Sequence, residues 1–299
     1  MTTHPNMGGV GAAESRACQT ERSAVGCFLG STGGRSTLET PWPELVRPSS
    51  QIGVSSWHAL PYAVAQGTQP SWPGGSMMEQ LQKLVVRYGD YRQKPVRFRP
   101  ETWRSRLELH GAAHVLSIGV GCVNGPSGDR LISRGDLADL RDRVDDDPDG
   151  LRDLFVAVMI WGSGTTNGRG PRYTEAALSD TRMPAVLRTT RQAVRDGDLS
   201  RAYEQFALSG VRRSFFTKWF AAVDDRDATC ERALILDDRV FRSLNALGWS
   251  SWKAAGTRRW PTRYAAYVSS VHGWASSLGV TADWLEWLLF HLNGRVGEP

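Results

Sequence analysis

Two neighbouring segments carry residues able to do chemistry. LSGVRRSFFTKWFAAVD, residues 208–224, holds Lys218, one of only four lysines in the chain, and ALILDDRVFRSL follows with Asp237 and Asp238 at the mouth of an apolar helix. An amine and a carboxylate nineteen residues apart can meet at one site. Together they would supply a nucleophile and a stabiliser of positive charge. Either could also act alone, or neither.

Asp237 follows an apolar triplet and precedes a helix, where free N–H groups and the helix dipole favour a charged carboxylate. That position suits a catalytic group and equally a plain N-cap. Lys218 lies one helical turn, about 5.4 Å, beyond Ser214 on the same face. Its four-carbon stem allows a nucleophile, a phosphate or pocket contact, or a solvated side chain. Before both comes AYEQFAL, then SGVRR, then SFFTKWF, two helices joined at about residues 201–220 by a short glycine turn. The first-turn N–H groups of the second helix, with Arg212 and Arg213, could hold one phosphate oxygen. The same turn is also a common packing device.

These residues need a scaffold, and the periodicity supplies helices. Ser133 to Asp136 is a capping box, and Asp147 caps DPDGLRDLFVAVMIWG, whose Leu151, Leu154, Phe155, Val158 and Met159 make one apolar face. GSGTTNGRGPR resists helix until about Tyr173. Further helical patterns run to TADWLEWLLFHL, so the expected class is all-α. HVLSIGVGCVNGPSGD resembles a strand entering a phosphate loop, but no GK[ST] follows and Gly119, Gly121 and Gly125 are not GxGxxG. A nucleotide site there is the weakest of the readings. Residues 1–75 are rich in Gly, Ser, Thr and Pro, which predicts a flexible or strap-like arm before a helical domain over 76–299.

The formal charge of +5 permits a nucleic-acid partner without demanding one. From Gly210 to Arg263 there are 11 Lys+Arg against 6 Asp+Glu, whereas Asp136 to Asp153 holds 8 acidic against 3 basic residues. Positive charge therefore gathers around the lysine. Cys18, Cys27, Cys122 and Cys230 form no CxxC pair, which predicts free thiols and no zinc or cluster site. No run approaches the roughly 18 apolar residues of a membrane span. We expect a soluble, cytoplasmic monomer without metal or cofactor.

LSGVRRSFFTKWF followed by LILDDRVFRSL resembles the helix-hairpin-helix DNA glycosylase superfamily, with its LPGVG-type hairpin and, about twenty residues later, its VDxHVxR segment. LRDLFVAVMIWGSG, RGPRYTEAAL and FFTKWF more narrowly resemble small bacterial proteins with an 8-oxoguanine glycosylase fold, over roughly residues 131–292. The resemblance implies two helical lobes and a DNA glycosylase that flips a modified or damaged base out of double-stranded DNA and hydrolyses its glycosidic bond. It puts Gly210 and Val211 on the hairpin turn, with Arg212, Arg213 and Ser214 beside the phosphate. It puts Asp237 on the catalytic aspartate and Asp238, Arg239, Val240 and Arg242 on the residues after it.

The departures are Arg212 for the second hairpin glycine, Phe216 for a small residue, and Ser214 where bifunctional members carry lysine. The last implies a monofunctional enzyme using water. Lys218, whose spacing to Asp237 is close to that of the bifunctional pair, leaves another register open. The resemblance further implies a gap-filling loop after Trp161, with Asn167, Arg169 and Arg172 as candidates, against an ordinary loop. Trp161, Trp219, Trp284, Trp287 and His291 are candidates for the base pocket, against plain core. Some relatives in this group are implicated in antiphage defence, which points to hypermodified phage cytosines such as glucosylated hydroxymethylcytosine, with 8-oxoguanine repair as the alternative. A non-catalytic helix-hairpin-helix DNA-binding protein, with Asp237 as a cap only, is the reading from another class.

Overall fold

The computed structural model describes residues 76–297, apart from residue 124 and residues 165–167. The predicted arm over 1–75 and its cysteines therefore lie outside the described residues. In chain order the elements are α1 (Met77–Tyr88), β1 (Val96–Phe98), α2 (Glu101–Glu108), β2 (Val120–Gly121), β3 (Arg130–Ile132), α3 (Arg134–Arg141), α4 (Pro148–Gly162), α5 (Gly170–Leu178), α6 (Met183–Arg195), α7 (Leu199–Gln205), α8 (Arg213–Val223), α9 (Asp238–Ala246), α10 (Ser251–Ala255), α11 (Trp260–Leu278) and α12 (Ala282–Leu292). Among the described residues the fold is all-α apart from one small antiparallel sheet. The glycine-rich stretch that resembled a phosphate loop is part of that sheet: β2 pairs with β3, and β3 with β1.

Three helix starts follow caps that are legible in the sequence. The side chains of Ser76, Ser133 and Asp147 accept from backbone N–H groups of their own first turns, as capping chemistry requires. Helix α5 begins at Gly170, three residues before the expected start, because Pro171 at the first turn needs no N–H partner. Helix α10 was not legible in the periodicity, being five residues long.

Helix α4 is the centre. Leu151 and every residue from Leu154 to Trp161 are buried, not just one face, because α3, α5, α6 and α8 pack around it. Helix α8 thereby gains a fixed floor. Between α7 and α8 the chain turns through Gly210, whose φ of +75° favours glycine and whose missing Cβ leaves room for Tyr173 at 3.2 Å. Phe206 stacks on Phe216 across the turn at 5.3 Å and locks the hairpin. Among the described residues no helix is long and apolar enough to cross a membrane.

Candidate active site

Asp237 is carried by a buried segment that is neither helix nor strand, so its backbone polar groups need partners from elsewhere. They have them. His272 binds the Arg232 carbonyl at 2.9 Å, the Asp224 carboxylate accepts from Ala233 N at 2.6 Å, and Tyr264 Oη donates to the Leu234 carbonyl at 2.8 Å. Glu286 accepts from Ile235 N at 3.2 Å, Tyr267 Oη donates to the Ile235 carbonyl at 2.8 Å, and Thr217 Oγ1 accepts from Leu236 N at 3.1 Å. Burial raises the Tyr264 and Tyr267 hydroxyls well above their ordinary range, so both remain donors. Side chains from α8, α11 and α12 thus hold the chain leading to Asp237.

Asp237 caps α9 with one oxygen: Oδ1 accepts from Arg239 N at 2.8 Å and Val240 N at 3.1 Å. The other oxygen, Oδ2, lies 3.8 Å from Lys218 Nζ. Both residues are only 8% exposed, which is rare for ions and requires that they be paired. Lys218 Nζ also donates to the Ser214 carbonyl at 2.8 Å. Burial pulls the Lys218 ammonium below its ordinary range, opposed by the charges of Asp237 and Glu286 and assisted by that of Arg134. A larger share of it is free amine at neutral pH than for an exposed lysine.

Behind this pair sits a second one. Arg134 Nη2 donates to both oxygens of Glu286, at 3.0 and 3.2 Å, and its guanidinium lies over the Trp161 ring, 5.3 Å from the centroid. Burial pushes the Glu286 carboxyl up, against the pull of Arg134. Lys218, Arg134 and Trp161 line a cavity of about 740 Å³, with Ala221, Ala222 and Ile235 among its other walls. The last residue of α4 makes room for the amine: a Cβ on Gly162 would stand 2.8 Å from Lys218 Cδ and 3.1 Å from the Phe215 ring.

The other expected residues divide. Trp161 is at the cavity wall. Trp219 is not; it is fully buried, donates from Nε1 to Thr190 Oγ1 at 3.0 Å and packs edge-on against Phe155, because one residue past Lys218 a helix has turned toward α4 and α6. Trp284, Trp287 and His291 form an aromatic group with Tyr88 and Tyr91 and are not cavity walls. Gly210, Arg212, Arg169 and Arg172 are exposed, and Val211 is buried. The Gly210–Tyr173 contact sets the hairpin turn against the start of α5, where the two last arginines lie. Asn167 lies outside the described residues. Arg213 is bound to Asp238 at 2.9 Å, and Arg239 lies over Phe290 at 4.8 Å.

Sequence reasoning missed Arg134, Glu286 and Gly162. A glutamate inside the apolar run WLEWLL was the available signal, since a buried carboxylate demands a partner. Cys122 and Cys230 are free thiols.

A family model described as "Putative 8-oxoguanine DNA glycosylase OGG-like protein" matches residues 89–290, which include every cavity residue named above. No curated protein and no solved structure matches the chain.

Proposed function

Because the chain belongs to the 8-oxoguanine DNA glycosylase OGG-like family, we propose that it excises a flipped base with the amine of Lys218 as nucleophile and Asp237 as the charge-stabilising carboxylate. The observation that carries this is the buried 3.8 Å approach of Lys218 Nζ to Asp237 Oδ2 beside the cavity. The free amine forms a bond to C1′ while the glycosidic C–N bond breaks; its electrons leave with the base, which takes up a proton. Asp237 offsets the positive charge that builds on the sugar as that bond stretches. The lone pair of the nitrogen attached to C1′ then expels the ring oxygen O4′, which takes a proton from solvent, and the opened sugar is left as a protonated imine that borohydride reduces to a stable protein–DNA adduct.

Water as nucleophile is the second reading. It rests on Ser214 at the register of the family's lysine and on the division of labour at Asp237, whose Oδ2 is left over from capping and can orient a water. Borohydride separates the two. A trapped adduct that is lost in Lys218→Ala supports the amine; base release without any adduct supports water and a monofunctional enzyme.

For the substrate, a cavity of about 740 Å³ is in the range that encloses a drug-sized ligand and exceeds what a bare base fills. This favours a base with a bulky substituent, such as a glucosylated hydroxymethylcytosine of phage DNA, and with it a role in antiphage defence. Mass spectrometry of bases released from such DNA and from oxidised DNA tests it: release of 8-oxoguanine alone would mean repair, and release of nothing would leave a DNA-binding protein. Monomeric action on duplex DNA completes the reading.

A further inference from the structure

A second group of cations gathers away from the cavity. Arg213 on the first turn of α8 and Arg263 on the first turn of α11 both lie over the Trp260 ring, their guanidinium carbons 4.5 and 3.6 Å from its centroid. Arg213 also lies over Phe241 at 4.8 Å, and Phe241 meets Trp260 edge-on. Two like charges on one indole repel each other. Burial and the charge of Arg213 both work against ionised Arg263, yet an arginine keeps its proton.

The internal counter-charge is thin. Arg263 donates from Nε and Nη2 to Ser251 Oγ at 3.0 and 2.7 Å, and among the described residues it pairs with no carboxylate. Arg213 Nε is buried with no partner among them, and the ion pair that Arg213 makes among them is to Asp238, whose side chain is 79% exposed. Neither α8 nor α11 carries a side-chain cap, so the first-turn N–H groups of both helices add their positive ends. Arg259 binds Glu204 at 2.6 Å, and Ser200 Oγ donates to the Pro261 carbonyl at 3.3 Å, which fixes the start of α11 against the first hairpin helix, α7. From Arg239 to Ala282 the chain carries six Lys+Arg and no acidic residue. Excess charge held this close lacks only an anion.

We propose that Arg213, Arg263 and Trp260 form a phosphodiester clamp beside the hairpin turn that holds a further backbone phosphate of duplex DNA, with exposed Lys253 and Arg258 continuing the track. The clamp rests on the reading of DNA as partner. Planar guanidinium forks suit phosphate oxygens, and the indole keeps both in place before DNA arrives, which lowers the ordering cost of binding. Such contacts position the duplex and read no sequence.

The test is fluorescence anisotropy of the full chain with a labelled, unmodified duplex over a salt series. Arg263→Gln should weaken binding and lower the slope of log affinity against log salt by about one, the loss of one phosphate contact, whereas Trp260→Leu, which removes no charge, should weaken binding at a slope near wild type. Arg263→Lys should keep the slope, and Arg104→Gln on α2, whose charge is already paired with Glu101, should change nothing. Circular dichroism checks the fold, and Arg263→Gln, at a half-buried polar position, carries the test should Trp260→Leu misfold. A wild-type slope in Arg263→Gln, or wild-type binding with no salt dependence, overturns the clamp. A chain that shows the expected slopes and releases no base sustains the clamp and defeats the catalytic reading alone.

Discussion

Arg134 Nη2 reaches both carboxylate oxygens of Glu286, and the same carboxylate receives Ile235 N, two residues before Asp237. One pair, a buried carboxylate and a partly exposed guanidinium, therefore both anchors the segment bearing Asp237 and sets the field around the amine. The Arg134 charge works against the Lys218 ammonium, and that of Glu286 works for it. Arg134→Gln should therefore raise the Lys218 pKa, move the acid limb of the rate profile to higher pH and leave less free amine at neutrality. Glu286→Gln should move it the other way, and the double variant should return it toward wild type. A pH series of adduct formation measures all three. Unfolding in urea should show a cost of about 3–5 kcal/mol for Arg134→Gln, which strands a buried carboxylate, and less for the double variant.

Asp237 separates structure from chemistry by oxygen atom. Asparagine caps a helix as well as aspartate does, so Asp237→Asn keeps the cap, and its stability cost, up to about 3–5 kcal/mol, measures the Lys218 charge left buried without its partner. Its base release should fall by roughly two to three orders of magnitude, the usual cost of losing a preorganised charge stabiliser. Asp237→Ala removes the cap as well and should lose about 1 kcal/mol more than Asp237→Asn. Single-turnover kinetics beside urea melts resolve the two effects. Equal rates for wild type and Asp237→Asn would reduce Asp237 to a cap.

Much of this arrangement could be read from the residues alone. Local rules carried the caps at Ser133 and Asp147 and the positive-φ glycine at the hairpin, because each is decided within a few residues. The Asp237 cap was legible for the same reason. Long-range pairs were not: Arg134 and Glu286 are 152 residues apart, and nothing in either neighbourhood names the other. The pocket tryptophans divided on the same ground. Each sits in an apolar helix, and only packing decides that Trp161 meets the cavity while Trp219 meets Thr190.

The segment before Asp237 depends on hydroxyls at its back. Tyr267→Phe leaves the Ile235 carbonyl buried without its donor, which should cost about 1–3 kcal/mol. Tyr264→Phe should do the same at Leu234. Since Tyr267 touches the residue nearer Asp237, its loss should lower the rate more than that of Tyr264 at comparable stability. Rates and melts of both variants, compared as a pair, check the order.

Gly162→Ala offers the sharpest separation of rate from stability. Alanine in a helix is favoured over glycine by roughly 0.5–1 kcal/mol, so by propensity alone the variant should be at least as stable as wild type. The new methyl group, however, would stand 2.8 Å from Lys218 Cδ and about 3 Å from the Phe215 ring. The buried lysine stem and the half-buried Phe215 ring must both shift to admit it, at a cost that offsets the gain in helix propensity. What moves is the amine, and its 3.8 Å approach to Asp237 is lost. A displacement of about 1 Å at a reacting atom is enough for a 100-fold loss of rate. The expected variant therefore stays folded at the assay temperature, binds duplex DNA with the wild-type salt slope, and forms the borohydride adduct far more slowly. Wild-type adduct formation by Gly162→Ala would show that Lys218 does not work from the position it holds in this structure.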